Sequence, residues 1–277
     1  MKSKKVRNPA CSFCGKRDAP SSTEDILPKW MARAIEKDRG GRFSITGQER
    51  GQEPDQQWGA KGKLGLLTNE PCQNCNNGWM SRLEERVKPV LLPMIDGGSI
   101  TVRTDQQVSI ARWTVKTAMN YEFFRRRNPR YFMTRERRAM AATQETPHQG
   151  ILLFLARYRS AVTIADGFRN EEAAWTSDYD LPLNVMHEGR LHSFNAYVFT
   201  LAVGDLAIQM FCHRWTRGPL NFTIAGAWDD AASRIWPGVL RNVKWPPPAF
   251  MDRETFEAFV DRWKHMISPD ATTPPRS

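Results

Sequence analysis

The sequence predicts an α+β chain in two parts. A small N-terminal unit is cross-linked through cysteines, and a larger C-terminal unit mixes helices with an antiparallel sheet. Three observations predict this. Two C-x-x-C pairs, Cys11/Cys14 and Cys72/Cys75, enclose a stretch long enough for a helix and a hairpin. Apolar residues recur at helical spacing around 27–37, 76–90 and 108–127. Beyond residue 150, apolar runs of strand length are broken by turn residues, as in LAVGDLAIQMF.

The elements follow in order. Residues 1–10 read as a basic arm, and Cys11 to Gly15 as a tight knuckle. Ser21 to Thr23 offer capping hydroxyls and Pro28 suits a first helical turn. Trp30, Met31, Ala34 and Ile35 then share one face of a helix over 27–37. Residues 42–70 read as an irregular hairpin. Trp79, Leu83 and Val87 line a helix over 76–90, whose end Pro89 and Pro93 disturb. A turn and strand cover DGGSITVRT. Helices follow at 108–127 and 134–142, strands at 151–158, 192–203 and 205–213, and a last helix at 253–267. Gly204–Asp205 is a hairpin turn, and KWPPPAF is extended. The first unit is expected over 11–97, the second over 98–267, and a flexible tail over 268–277.

Composition narrows the setting. With 277 residues and 40% apolar content, the chain can bury a sizeable core. No apolar run approaches the ~20 residues of a membrane span. The start MKSKKVRNPACSFCG carries basic residues without a following apolar stretch, so it is not a secretory signal. These features point to the cytoplasm, where thiols stay reduced and paired cysteines mean metal before disulfides. The net charge of +10 favours nucleic acid as partner over an inert basic surface.

Each C-x-x-C pair lets two thiolates reach one ion from a single turn. Two pairs complete a tetrahedral four-sulfur site, closed to water and therefore structural: one zinc ion held by Cys11, Cys14, Cys72 and Cys75. Cys212, in the apolar run AIQMFCHRW, reads as a core residue. His187, His192 and His213 lack metal-ligand spacing and read as structural.

STEDILPKW lies between the cysteine pairs, and CNNGWMSRLE begins at the last of the four cysteines. Together with the later IARWTVKTAM and VKWPPP, these segments resemble the zinc-bearing HNH endonucleases. The likeness is closest to a bacterial subgroup with Glu-His/Asp-aliphatic, Pro-x-Trp and Cys-Asn-Asn-Gly-Trp. It is specific over 11–85 and looser over 107–250. The resemblance implies a ββα-metal unit that grips one divalent ion, Mg²⁺ or Mn²⁺, and hydrolyses double-stranded DNA, in a bacterium and in defence against foreign DNA. Carried onto this chain, Glu24 and Asn76 are the ligands of the catalytic ion. Asp25 stands where the family usually has its general-base His.

Elementary chemistry agrees with that layout. Phosphodiester hydrolysis needs a cation against developing charge and a base for water. A hard ion prefers oxygen donors, which Glu24 and Asn76 supply. Asp25 is a weaker base than His. Other readings of the same residues stand beside this one. Glu24 and Asp25 suit a helix start through the dipole, and Asn76 suits a helix cap. A zinc-stapled nucleic-acid-binding module that has lost catalysis is the alternative function. In FFRRRNPRYFMTRERR, Arg125, Arg126, Arg127 and Arg130 alternate with aromatics, a pattern suited to phosphate contact and base stacking; a solvated basic face is the alternative.

Overall fold

The structure is a computed structural model. It describes residues 10–17, 19–39, 44–49, 66–145, 150–159, 163–165, 168–170, 172–217, 220–223, 228, 230–237, 241–265 and 267–271. Residues 1–9 of the expected arm and 42–43 and 50–65 of the expected hairpin lie outside these.

The described residues open on the knuckle. The Gly15 amide donates to the Cys11 carbonyl at 2.9 Å, and Gly15 adopts a φ of +75° that glycine tolerates. Strand β1 (Glu24–Asp25) then pairs antiparallel with β3 (Leu67–Thr68), Glu24 opposite Thr68 and Asp25 opposite Leu67. An isolated bridge between Ser21 and Cys72 continues the ladder toward the second cysteine pair. Helix α1 (Lys29–Arg39) follows Pro28 and buries Met31 and Ala32. Strand β2 (Ser44–Glu49) does not fold back as a local hairpin. It runs parallel to β8 (Glu172–His187), far along the chain.

After Cys72 a helical turn, α2 (Gln73–Cys75), passes through a π-helical segment, Asn76–Met80, into α3 (Ser81–Ile95). Gly78 departs from helical geometry inside that segment. Pro89 and Pro93 do not end the helix. Val87, Val90, Leu91 and Met94 are buried, and that apolar face outweighs two lost hydrogen bonds. The helix stops at Gly97, whose φ is +71°.

Strand β4 (Ile100–Val102) pairs with β13 (Val243–Trp245). Helix α4 (Thr104–Phe124) is buried on most sides, as befits a central helix with few exposed polar positions. Helix α5 (Thr134–Thr143) follows. The main sheet then forms from β5 (Ile151–Arg157), β8, β9 (Arg190–Val203), β10 (Leu206–Cys212) and β12 (Ala232–Trp236), with β2 at one edge. Its order is β12-β5-β10-β9-β8-β2, and every pairing except β2/β8 is antiparallel. Two small ladders, β6 (Thr163–Ala165) with β7 (Phe168–Asn170) and β11 (Leu220–Thr223) with β14 (Ile267–Ala271), lie outside it. Where a flexible tail is expected from 268, residues 267–271 form that last strand; 272–277 lie outside the described residues. Helix α6 (Arg253–Asp261) is capped by Asp252, which accepts from the Thr255 amide at 2.9 Å, and gives way to a 3₁₀ turn at Arg262–His265.

The sheet alternates its faces. Leu153, Tyr197, Phe199 and Met210 join a core that runs without a break through α4 and α3 to Phe13 and the cysteines. The other face meets α6 and the turn after it, where Trp263 stacks on Phe211 with ring centroids 4.0 Å apart. Gly204 fixes how the β9–β10 turn meets α3. Its φ is +58°, and a Cβ there would sit 2.4 Å from the Ile95 carbonyl oxygen, which accepts from the Asp205 amide at 3.0 Å. Cys212 is fully buried, as expected of a core residue.

Candidate metal centre

The two cysteine pairs, distant in sequence, meet at one point. Their four sulfurs lie within 4.8 Å of one another. Cys11 and Cys75 sulfurs are 3.9 Å apart, and those of Cys14 and Cys72 3.7 Å. Four thiolates at about 2.3 Å around a tetrahedral zinc ion leave sulfurs about 3.8 Å apart, close to these two spacings, so the cluster could hold a zinc ion. Backbone amides of Cys14 and Cys72 point at the Cys11 sulfur at 3.5 and 3.3 Å. The hydrogen bond with Cys75, then these amides, bring the Cys11 thiol down to about 4 against the effect of burial. That favours the thiolate, the form that binds metal. Phe13, fully buried, meets Trp79 edge-on at 5.9 Å beside the knot, and the Arg138 guanidinium lies over Gly15.

The ladder between β1 and β3, followed by the helix that opens at Cys75, sets the second group of residues. Successive side chains of a strand face opposite sides. Glu24 turns inward, with 6% of its side chain exposed; Asp25 turns outward, with 28% exposed and Lys29 3.8 Å away. Asn76 sits in the π-helical segment, a distortion frequent at functional sites. Its amide nitrogen donates to the Ser22 hydroxyl at 2.7 Å and to the Thr23 carbonyl at 3.1 Å. The amide is therefore tied to the residues just before Glu24 through its nitrogen. Glu24 and Asn76 offer oxygen donors, suited to a hard divalent ion.

A group that sequence reasoning missed lies behind Glu24. Lys116 of α4, with no exposed side-chain surface, donates to Glu24 Oε1 at 2.9 Å and to Glu84 Oε1 of α3 at 2.7 Å. Burial opposes its charge, yet the two carboxylates outweigh burial and hold Lys116 above its ordinary pKa. The Lys116 contact is made at Oε1 of Glu24, the other carboxylate oxygen being Oε2. The available signal was the presence of Glu84 and Lys116 inside CNNGWMSRLE and IARWTVKTAM, segments quoted above for other reasons.

The four arginines expected at a nucleic-acid surface have different surroundings. Arg127 pairs with Asp178 at 2.7 Å and with Asp180. Arg130 is exposed and stacks over the Phe123 ring at 4.4 Å. Arg126 is exposed at a φ of +51°. Arg125 shares a cavity of about 240 Å³ with Arg127, Asp178 and Asp180, so that wall carries both signs of charge. A larger cleft of about 690 Å³ between β12 and β13 is lined by Arg234, Arg241 and Lys244, with no carboxylate among its described lining residues. Comparison of the chain with protein-family models, with curated proteins and with solved structures finds no match in any of the three.

Proposed function

We propose that the chain is a metal-dependent endonuclease of the HNH type acting on DNA. One observation carries this reading. An acidic pair sits on a strand laddered to the segment that enters the second cysteine pair, and an amide from the helix that follows is hydrogen-bonded to the residues just before the acids. Glu24 and Asn76 would hold the divalent ion, Mg²⁺ or Mn²⁺. When bound, that ion supplies charge neutralisation for the phosphate as negative charge builds on it. Asp25 is the more exposed acid and serves as the proton acceptor. The attacking water oxygen forms a bond to phosphorus as its proton passes to Asp25, the bond from phosphorus to the sugar oxygen breaks, and that leaving oxygen takes up a proton from solvent water while Asp25 returns its own to solvent. The zinc-bearing knot keeps the strand and the helix in register throughout.

A second reading has its own supporting observation. Lys116 already neutralises much of the Glu24 charge, and Asp25 is a weaker base than the family's His. Both fit a zinc-stapled DNA-binding module without catalysis. Incubating zinc-loaded protein with supercoiled plasmid separates the two. The nuclease reading expects nicking with Mg²⁺ or Mn²⁺ that stops when EDTA is added, and loss of nicking in Glu24→Ala and Asn76→Ala. Plasmid that is retarded on a gel yet left intact with either metal would favour the binding module.

A further inference from the structure

Lys116, Glu24 and Glu84 come from three separate segments and meet in a site closed to water on the Lys116 side. Burying a Lys costs several kcal/mol unless it is paired and fully hydrogen-bonded. Here two carboxylates offset that cost. One would neutralise the charge. The second makes the trio net negative, and it comes from α3, the helix that continues from Asn76. The Lys116 ammonium fixes one oxygen of Glu24, so the carboxylate cannot rotate freely about its last bond. Its other oxygen, Oε2, is the one that Lys116 does not hold.

We propose that Lys116, clamped between Glu24 and Glu84, is a positioning residue: it fixes the orientation of Glu24 as ligand to a divalent cation, while Glu84 supplies the surplus negative charge that keeps a cation welcome beside a buried ammonium. The proposal rests on the nuclease reading of Glu24. It differs from a merely structural role for the trio. A structural brace needs one carboxylate for one ammonium, and losing the second would leave cation binding at Glu24 unchanged.

The test is direct Mn²⁺ binding to zinc-loaded protein, read by the loss of the free-ion electron paramagnetic resonance signal. Zinc content and circular dichroism report the fold separately. Thiolates prefer zinc to manganese, so Mn²⁺ reports the oxygen site. Glu24→Gln is expected to abolish binding. Lys116→Met, of similar length and without charge, is expected to weaken it about 10- to 100-fold, the usual effect of losing a group that orients a metal ligand. Glu84→Gln keeps Lys116 against Glu24 at a partly exposed position, so it remains folded whatever happens to Lys116→Met. It is expected to weaken Mn²⁺ binding several-fold with zinc content unchanged. Wild-type affinity in Glu84→Gln, or in folded Lys116→Met, overturns the proposal. Absence of Mn²⁺ binding in the wild type overturns the nuclease reading itself, and the two failures are thereby distinguished.

Discussion

Lys116, midway along α4, and Arg127, just beyond its end, each lie between two carboxylates. The arithmetic is the same and the settings differ. Lys116 is fully buried, and its partners Glu24 and Glu84 arrive from two segments beside the cysteine cluster. Arg127 keeps 18% of its side chain exposed, and its partners Asp178 and Asp180 are alternate residues on one face of β8. A guanidinium has a fixed fork that spans two carboxylates on one strand, whereas an ammonium is a compact point charge. The arginine thus braces α4 against the sheet. The lysine sits behind an acid whose neighbours carry the candidate chemistry. Position in an Arg-rich, aromatic run made Arg127 look functional from sequence, and position in an apolar helix made Lys116 look like nothing at all.

The largest expected effect separates the two networks by metal. Glu24 and Glu84 are held in place by segments that the cysteines join, so Cys72→Ser should dissolve the Lys116 network and leave the Arg127 network standing. Structural zinc contributes on the order of 10–16 kcal/mol of binding energy to such sites. The expected result is one zinc per wild-type chain by elemental analysis. In the variant, amide exchange should lose protection over 11–95 and retain it in β5, β9 and β10. Fully folded protein without zinc would end this account.

A smaller effect is expected at the other network. Arg127→Ala leaves Asp178, with 3% of its side chain exposed, buried without its ion pair and held by the Tyr197 hydroxyl at 3.1 Å. Breaking such a pair costs about 3–5 kcal/mol, measured as a lowered urea midpoint. The salt dependence of DNA binding should stay at the wild-type slope. A slope reduced by about 0.9, the signature of one lost phosphate contact, with unchanged stability would reverse the assignment.

The smallest effect concerns a lone acid on the same helix. Glu122 is fully buried and accepts the amides of Tyr131 at 2.6 Å and Phe132 at 3.2 Å. Burial, its largest influence, raises its carboxyl to about 7 from an ordinary 4.5. The folded state therefore holds this proton where the unfolded state has released it. The resulting stability is full below about pH 4.5 and is lost as pH rises through about 7, amounting to about 3 kcal/mol. Urea unfolding at pH 5 and pH 8 should show the decline in the wild type and a much shallower one in Glu122→Gln. Equal slopes in the two proteins would place the titration elsewhere.

The elements legible in the sequence are those that local chemistry decides. A C-x-x-C pair chelates from a single turn, so the four cysteines announce themselves. The sequence located α1, α4 and α5 to within a few residues and the start of α6, whose α-helical part ends at Asp261 and not at 267, and Gly204–Asp205 marked a real turn because only a residue free of a Cβ fits against Ile95. Pro89 and Pro93 misled the reading of α3, because the proline penalty is local and the burial that overcomes it is not.

The sequence by itself determined the two cysteine pairs, most helices and the hairpin of β9 and β10, since neighbours within a few residues fix them. Tertiary structure alone decided the rest. Strand β8 has no clean alternation, because Thr176, Ser177 and Asp178 are buried against partners that the chain brings from elsewhere. Its pairing with β2 spans more than a hundred residues. The meeting of Lys116 with Glu24 and Glu84 is of the same kind. A buried ammonium is tolerable only where two carboxylates converge on it, and that convergence exists only once α3, α4 and the β1–β3 ladder have packed together.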